Sequence, residues 1–200
     1  LCDLNFDQID ISTNTFQKLK TPFYISSMTA GHKDAVQLNI LMAQACEAQG
    51  WMMGVGSQRR ELSSKNSLNE WTELRKKAPK AVMLGNLGIS QLIQCQVSDV
   101  QRLVDSIDAQ AMFIHLNILQ ECLQPEGTPQ FQGALKAIEK LVAKLSVPVI
   151  VKETGCGFSL KSLKSLKNKG IAAVDVSGLG GTHWGRIEGM RAEENSLKGV

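Results

Sequence analysis

Six short apolar runs rich in strand-forming residues recur at a spacing of roughly 30 residues, the size of one strand-helix unit, with helical patterns between them. This alternation predicts an α/β chain with a parallel sheet, because parallel neighbours need a crossover and right-handed crossovers lay helices outside the sheet. Polar residues cap every run. An open doubly wound sheet concentrates its chemistry at one switch point, so polar tips on all six strands favour a TIM (β/α)8 barrel, whose site gathers loops from every strand end. The turn after the first run, Ser27-Met28-Thr29-Ala30-Gly31, also lacks the G-x-G-x-x-G of a dinucleotide-binding fold.

Phe23-Tyr24-Ile25 is the first strand. Ala35 to Gln49, apolar and small throughout, is the first helix and stops at Gly50, the residue suited to a left-handed C-cap. Trp51-Met52-Met53-Gly54-Val55 follows as the second strand, and Ser67-Leu68-Asn69-Glu70 reads as a capping box opening a helix that ends before Pro79. Ala81-Val82-Met83-Leu84 is the third strand. Val100, Leu103, Val104 and Ile107 form a helical stripe ahead of the fourth, Ala111-Met112-Phe113-Ile114. Leu135, Ile138, Leu141, Val142 and Leu145 make a second stripe before the fifth strand, Val147-Pro148-Val149-Ile150-Val151. Leu160, Leu163 and Leu166 make a third, closed by Gly170, before Ile171-Ala172-Ala173-Val174-Asp175-Val176. All three stripes are expected to face the core. Eight units need about 250 residues, so residues 1–200 read as a single, truncated βα-barrel domain with about six of its units.

Composition excludes several classes. At 43% hydrophobic and 20% charged the chain is ordinary globular material. A net charge of +3, with no basic run interleaved with aromatics, argues against a nucleic-acid partner. The lysines between Lys161 and Lys169 fit the wet face of a helix. Five cysteines without a C-x-x-C pair fit a reduced, cytoplasmic compartment better than a disulfide framework or a zinc site. No apolar stretch reaches membrane-spanning length and no signal-peptide pattern opens the sequence, so no membrane association is expected.

The chemistry concentrates in the run His115-Leu-Asn117-Ile-Leu-Gln120-Glu121-Cys-Leu-Gln124-Pro125-Glu126-Gly127. His115 and Asn117, two apart at a strand end, are expected to point to one face, with Gln120 and Glu121 on the loop beyond. Lys152 ends an apolar strand, where an unpaired ammonium costs several kcal/mol to bury, so an anion must lie close; Glu153 or a bound ligand could supply it. Thr29, Ser57, Asn86, Ser177 and Thr182 are small donors and acceptors at strand tips and together suit the edge of a planar heterocycle. Arg59, with Ser57 and Gln58, could clamp a diphosphate, since a guanidinium fork matches phosphate oxygens, while Arg60 fits an ordinary surface charge. Trp184 is either a pocket wall or core.

The motif H-L-N-x-x-Q-E-x-x-Q-P-E-G resembles the signature of the type 2 isopentenyl-diphosphate isomerases, which use FMN to interconvert isopentenyl and dimethylallyl diphosphate. Four other segments agree in order: Ser27 to Gly31, Gly56-Ser57-Gln58-Arg59, Val151-Lys152-Glu153-Thr154-Gly155-Cys156-Gly157, and Val174-Asp175-Val176-Ser177-Gly178-x-Gly180-Gly181-Thr182-x-Trp184. Ala30 departs from the pattern, standing where many relatives carry glycine. The resemblance implies Ser27, Met28, Thr29, Ser57, Asn86, Lys152, Ser177 and Thr182 as FMN contacts, with Lys152 facing the pyrimidine end of the flavin. It implies Ser57, Gln58, Arg59, His115, Asn117 and Gln120 as substrate contacts, Glu121 as a Mg2+ ligand, and Gln120 against the alkene in a positioning or proton-relay role. It further implies reduced FMN as acid and base, NADPH as the prior reductant of the flavin, a small-molecule diphosphate substrate, and a homo-oligomer of four subunits or more. Two other readings stay open: an FMN-dependent oxidoreductase on a similar barrel, and a non-enzymatic fragment without flavin.

Overall fold

The computed structural model describes residues 3–15, 17–63, 68–125, 127–180 and 183–191. A 3-10 turn (Phe6–Gln8) and a small antiparallel pair, β1 (Thr13–Asn14) and β2 (Lys18–Leu19), precede the sheet. The sheet has six parallel strands in unbroken chain order: β3 (Tyr24–Ile25), β4 (Met52–Gly54), β5 (Val82–Gly88), β6 (Ala111–His115), β7 (Val149–Lys152) and β8 (Ala173–Asp175). Each overlaps one of the six predicted runs, though β5 continues to Gly88, beyond the expected end at Leu84, and β7 to Lys152. An order that never reverses has no switch point, which is the winding of a barrel. Laid flat, five inter-strand spacings of about 4.8 Å would separate β3 from β8 by roughly 24 Å. The Tyr24 hydroxyl nonetheless donates to Asp175 Oδ2 at 2.5 Å, joining the two end strands, so the sheet is curled into a half-barrel.

Outside it pack α1 (Ala35–Gln49), α3 (Leu68–Lys77), α4 (Ile89–Gln94), α5 (Val97–Ile107), α7 (Ala134–Val142) and α8 (Leu160–Lys167), while the short α2 (Arg59–Ser63), α6 (Ile118–Leu123) and α9 (Trp184–Arg191) follow strand tips, α6 packing against α9. α1 ends at Gly50 with φ +69°, as the sequence predicts, and α5 ends on Asp108 in the same left-handed region. Ser67, the proposed cap of α3, lies outside the described residues.

Alternation along each strand builds two cores. Met83, Leu87, Met112, Ile114 and Val151 face the helices, where they meet Trp71, Leu74, Leu103, Ile107 and Ile138. Leu84, Ala111, Phe113 and Ile150 face inward with Met52, Leu19, Tyr24, Val82 and Ala173. One step further along these inward rows stand Asn86, His115, Lys152 and Asp175, the polar rim of an apolar interior.

Three expectations need correction. β6 ends at His115, so Asn117 is not on the strand; it is the N-cap residue of α6, with φ −88° and ψ 51°. Gln120 and Glu121 are therefore on a helix rather than a loop, because Ile118 to Leu123 is a run of adequate helix formers that Pro125 terminates. The stripe on α8 reaches the core only at Leu166, since Leu160 is 68% exposed and Leu163 half-buried; on α7, Ile138 and Leu141 are buried and Leu135 is exposed. Among the described residues no helix is long and apolar enough to cross a membrane.

Candidate active site

The polar rim opens into two adjoining hollows that share Met28, Ser57, His115 and Gln120. The first is bordered by Gly31, Arg59, Arg60, Asn117, Glu121 and Gln124. The second is bordered by Ser26, Ser27, Asn86, Lys152, Thr154, Ser177 and Trp184. Trp184 is thus a wall of the site. Arg60, which fitted a surface charge in the sequence, lines the first hollow beside Arg59.

The loop after β4 is held by backbone contact. Gly56 passes so close to Thr29 that a Cβ would collide with the Thr29 carbonyl, so glycine is required there. Gln58 then folds inward: its amide oxygen accepts from the Asn86 N–H at 3.0 Å, its amide nitrogen donates to the Leu103 carbonyl at 3.3 Å, and its own N–H donates to the Asn86 carbonyl at 2.9 Å. It is fully buried and borders neither hollow. The structure therefore makes Gln58 a strut that fixes Asn86, not a side chain facing a ligand. Thr29 also borders neither hollow, its hydroxyl and carbonyl being bonded to Asn39 of α1. Thr182 and Gly181 lie outside the described residues, as does Glu126.

His115 Nδ1 lies 2.9 Å from Asn86 Oδ1. An amide oxygen only accepts, so Nδ1 carries the hydrogen and Nε2 presents a lone pair. Burial, reinforced by the nearby charges of Lys152 and Arg59, pulls the imidazole pKa down to about 3. His115 is therefore neutral near pH 7, and positive charge toward an anion in the first hollow comes from Arg59 and Arg60.

Lys152 is 4% exposed, and its ammonium donates to the Glu153 carbonyl at 3.4 Å. Lys152 makes no ion pair with the Glu153 carboxylate, one of the two partners the sequence allows. That carboxylate turns into its own loop, where one oxygen accepts from the N–H groups of Thr154, Gly155 and Cys156 at 2.8, 3.1 and 2.7 Å. Burial lowers the Lys152 pKa, opposed by the negative charges of Asp175 and then Glu153. A buried cation without a carboxylate in contact among the described residues, beside a buried Ser27 hydroxyl that has no partner among them either, fits a ligand with acceptor atoms and partial negative charge, such as the edge of a flavin.

Glu121 is 3% exposed; one oxygen accepts from Asn117 Nδ2 at 2.9 Å and the other from the Thr128 N–H at 2.6 Å. Asn117 Oδ1 is buried with no partner among the described residues. A carboxylate beside an orphaned amide oxygen is a hard oxygen pair suited to Mg2+, provided that ligand oxygens and water complete the shell. Among the described residues no cluster of three or more His, Cys, Asp or Glu could hold a metal alone.

The sequence reading passed over Asp175, Thr154 and Ser26. Asp175 was detectable: in the sixth run, Ala173 and Asp175 share one face, which puts a carboxylate on the inward row.

A curled, singly wound parallel sheet with its polar groups at the strand C-termini defines a βα-barrel type of small-molecule site. The fold is similar to that of a solved aldolase, QR15, with TM-score 0.52 and 13% identity, covering 86% of this chain and 74% of that one. It is also similar to 6-hydroxypseudooxynicotine amine oxidase of Pseudomonas geniculata N1, with TM-score 0.51 and 11% identity, covering 85% and 37%. Both likenesses concern the fold alone. No protein-family model matches the chain. In sequence it is similar to proteins named isopentenyl-diphosphate delta-isomerase. The Legionella pneumophila (strain Paris) protein is 54% identical over 199 residues, covering 99% of this chain and 58% of its own length. That of Bdellovibrio bacteriovorus is 54% identical over 202 residues, covering 98% and 58%. The Methanococcoides burtonii protein is 41% identical over 196 residues, covering 98% and 54%. The chain thus spans a little over half the length of the curated relatives it matches.

Proposed function

We propose that the chain is the core of a type 2, FMN-dependent isopentenyl-diphosphate delta-isomerase that interconverts isopentenyl and dimethylallyl diphosphate in isoprenoid biosynthesis. The full barrel then has eight units, of which this chain supplies about six, and the enzyme works as a cytoplasmic homo-oligomer. The observation that carries the reading is the junction of two unlike hollows at Gln120 and His115: one holds a buried ammonium and an unpartnered hydroxyl, the other two guanidinium groups beside Glu121.

Lys152, Asn86, Ser27, Ser57 and Ser177 would hold FMN in the second hollow, Lys152 meeting the electron-rich pyrimidine edge. Reduced FMN, supplied with electrons from NADPH, contributes a group that gives and takes a proton without net oxidation of the substrate. Arg59 and Arg60 would bind the diphosphate, and Glu121 with the Asn117 amide oxygen would hold a Mg2+ that neutralises its charge. His115 accepts a hydrogen bond at Nε2 and divides the two hollows. Gln120, at the shared border, would lie against a bound alkene; as a neutral amide it would position the substrate or relay a proton rather than act as a strong acid. Trp184 keeps water from the reacting face.

The test is a visible absorption spectrum with FMN, followed by conversion of isopentenyl diphosphate in the presence of FMN, NADPH and Mg2+. It should be run on this chain and on one extended at both ends. Conversion without continuing NADPH consumption is expected. A flavin spectrum with steady NADPH oxidation and no isomerised product would sink the proposal in favour of an oxidoreductase.

A further inference from the structure

We propose that Asp175, locked by Tyr24 across the mouth of the half-barrel, is the positioning residue that keeps Lys152 charged and aimed into the second hollow. The inference rests on the reading of that hollow as the flavin site and adds to it two residues assigned no role there.

The geometry begins with register. Lys152 and Asp175 are paired Cα partners on β7 and β8, with the Glu153 N–H donating to the Asp175 carbonyl at 3.3 Å just beyond. Both side chains therefore stand on the same inward row, above the apolar layer of Ile150, Phe113 and Ala173. In that setting a carboxylate needs donors. Asp175 has one for each oxygen: the Ser177 N–H at 3.0 Å on Oδ1 and the Tyr24 hydroxyl at 2.5 Å on Oδ2. Accepting at both oxygens is the bonding of an ionised carboxylate. Ser177, a non-glycine residue at φ +36°, bends the chain so that its amide points back at Asp175. Tyr24 is the sole tyrosine of the chain, and it reaches Asp175 from the opposite end of the sheet.

Among the groups around Lys152, Asp175 is the leading counter-charge and Glu153 the second. From β6 comes His115, which is neutral; from β5 comes Asn86, which is uncharged. Arg59 of α2, a like charge, acts on His115 from the first hollow. The Glu153 carboxylate is engaged by three backbone N–H groups of its own loop. Direct contact between the Asp175 carboxylate and the ammonium would neutralise the cation toward a ligand. Holding the carboxylate to Tyr24 instead leaves the ammonium charged and its donors available.

The test compares the wild type with Asp175→Asn and Tyr24→Phe, each checked for folding by circular dichroism. Lys152 is followed by the pH dependence of its acetylation, mapped by peptide mass spectrometry, so that the midpoint separates charge from access. The single tyrosine is followed by tyrosinate absorbance, with Tyr24→Phe as the blank. In Asp175→Asn the Lys152 midpoint is expected to fall by on the order of one pH unit, giving about tenfold more free amine at a fixed pH. The Tyr24 midpoint, above the free-tyrosine value of about 10 in the wild type, falls in the same variant. Tyr24→Phe frees the carboxylate to close on the ammonium, so the Lys152 midpoint rises. Folded variants with unchanged Lys152 midpoints overturn the inference. If Asp175→Asn does not fold, Tyr24→Phe, which deletes one hydroxyl, carries the test alone. FMN binding is measured separately by flavin fluorescence quenching: a folded chain, complete at both ends, that binds no FMN defeats the flavin reading, whereas the midpoints decide on Asp175 either way.

Discussion

Gln58 separates two accounts of the loop after β4. If it faces a substrate, removing its amide weakens binding and leaves the fold intact. The structure gives the opposite result, because the side chain is fully buried and satisfies the Asn86 N–H and the Leu103 carbonyl. Gln58→Ala strands the Asn86 N–H away from water, at about 1 to 3 kcal/mol, and opens a small cavity as well, while the Leu103 carbonyl keeps its hydrogen bond from the Ser106 hydroxyl. A loss of about 3 kcal/mol is a large share of the roughly 5 to 15 kcal/mol that stabilises a typical protein. With a urea dependence of about 2 to 3 kcal/mol per molar, the unfolding midpoint should drop by about 1 M or slightly more. Equilibrium urea unfolding followed by tryptophan fluorescence measures this. A midpoint within about 0.3 M of the wild type, roughly the shift of a surface substitution, accompanied by a weakened substrate affinity, would refute the strut and restore Gln58 to the ligand site.

Gly56→Ala forces a Cβ into the Thr29 carbonyl and should cost about 1 to 3 kcal/mol, visible as a lower melting temperature. His115 binds a proton in the unfolded chain below about pH 6.5 but in the fold only near pH 3, so it contributes full stability above pH 6.5 and loses it as pH falls toward 3. Stability of the wild type should therefore fall by up to about 1.4 kcal/mol per pH unit more than that of His115→Gln between pH 6 and 4, and parallel profiles would contradict the neutral imidazole. Glu121→Gln removes the carboxylate proposed for Mg2+; the concentration of Mg2+ giving half-maximal isomerisation should rise at least tenfold, and an unchanged requirement would move the metal elsewhere.

Much of the fold was legible because it follows from local periodicity. The strand runs, the helix ending at Gly50 and the inward placement of Lys152 all depend on residues within a few positions of one another. The errors share a cause. Asn117 was assigned to the strand because the apolar pattern continues through Leu116 and Ile118, and only the departure of α6 from the sheet at that residue shows otherwise. Leu160 and Leu163 look like core by spacing, yet burial depends on what lies opposite, which spacing does not encode. Adjacency left Glu153 as one of two possible partners of Lys152, and only the loop beyond β7, whose N–H groups draw the carboxylate back, shows otherwise.

The sequence by itself determined the six strands, most of the helices between them and the parallel winding, since these follow from pattern and side-chain chemistry. Tertiary structure decided which of the polar groups at the strand tips face a common hollow. Gln58 turned inward to brace Asn86, His115 lost its proton to burial, and Tyr24 found Asp175 from 151 residues away. Each outcome depends on how far the sheet curls and on what then surrounds a side chain, and both arise from contacts between segments remote in the chain.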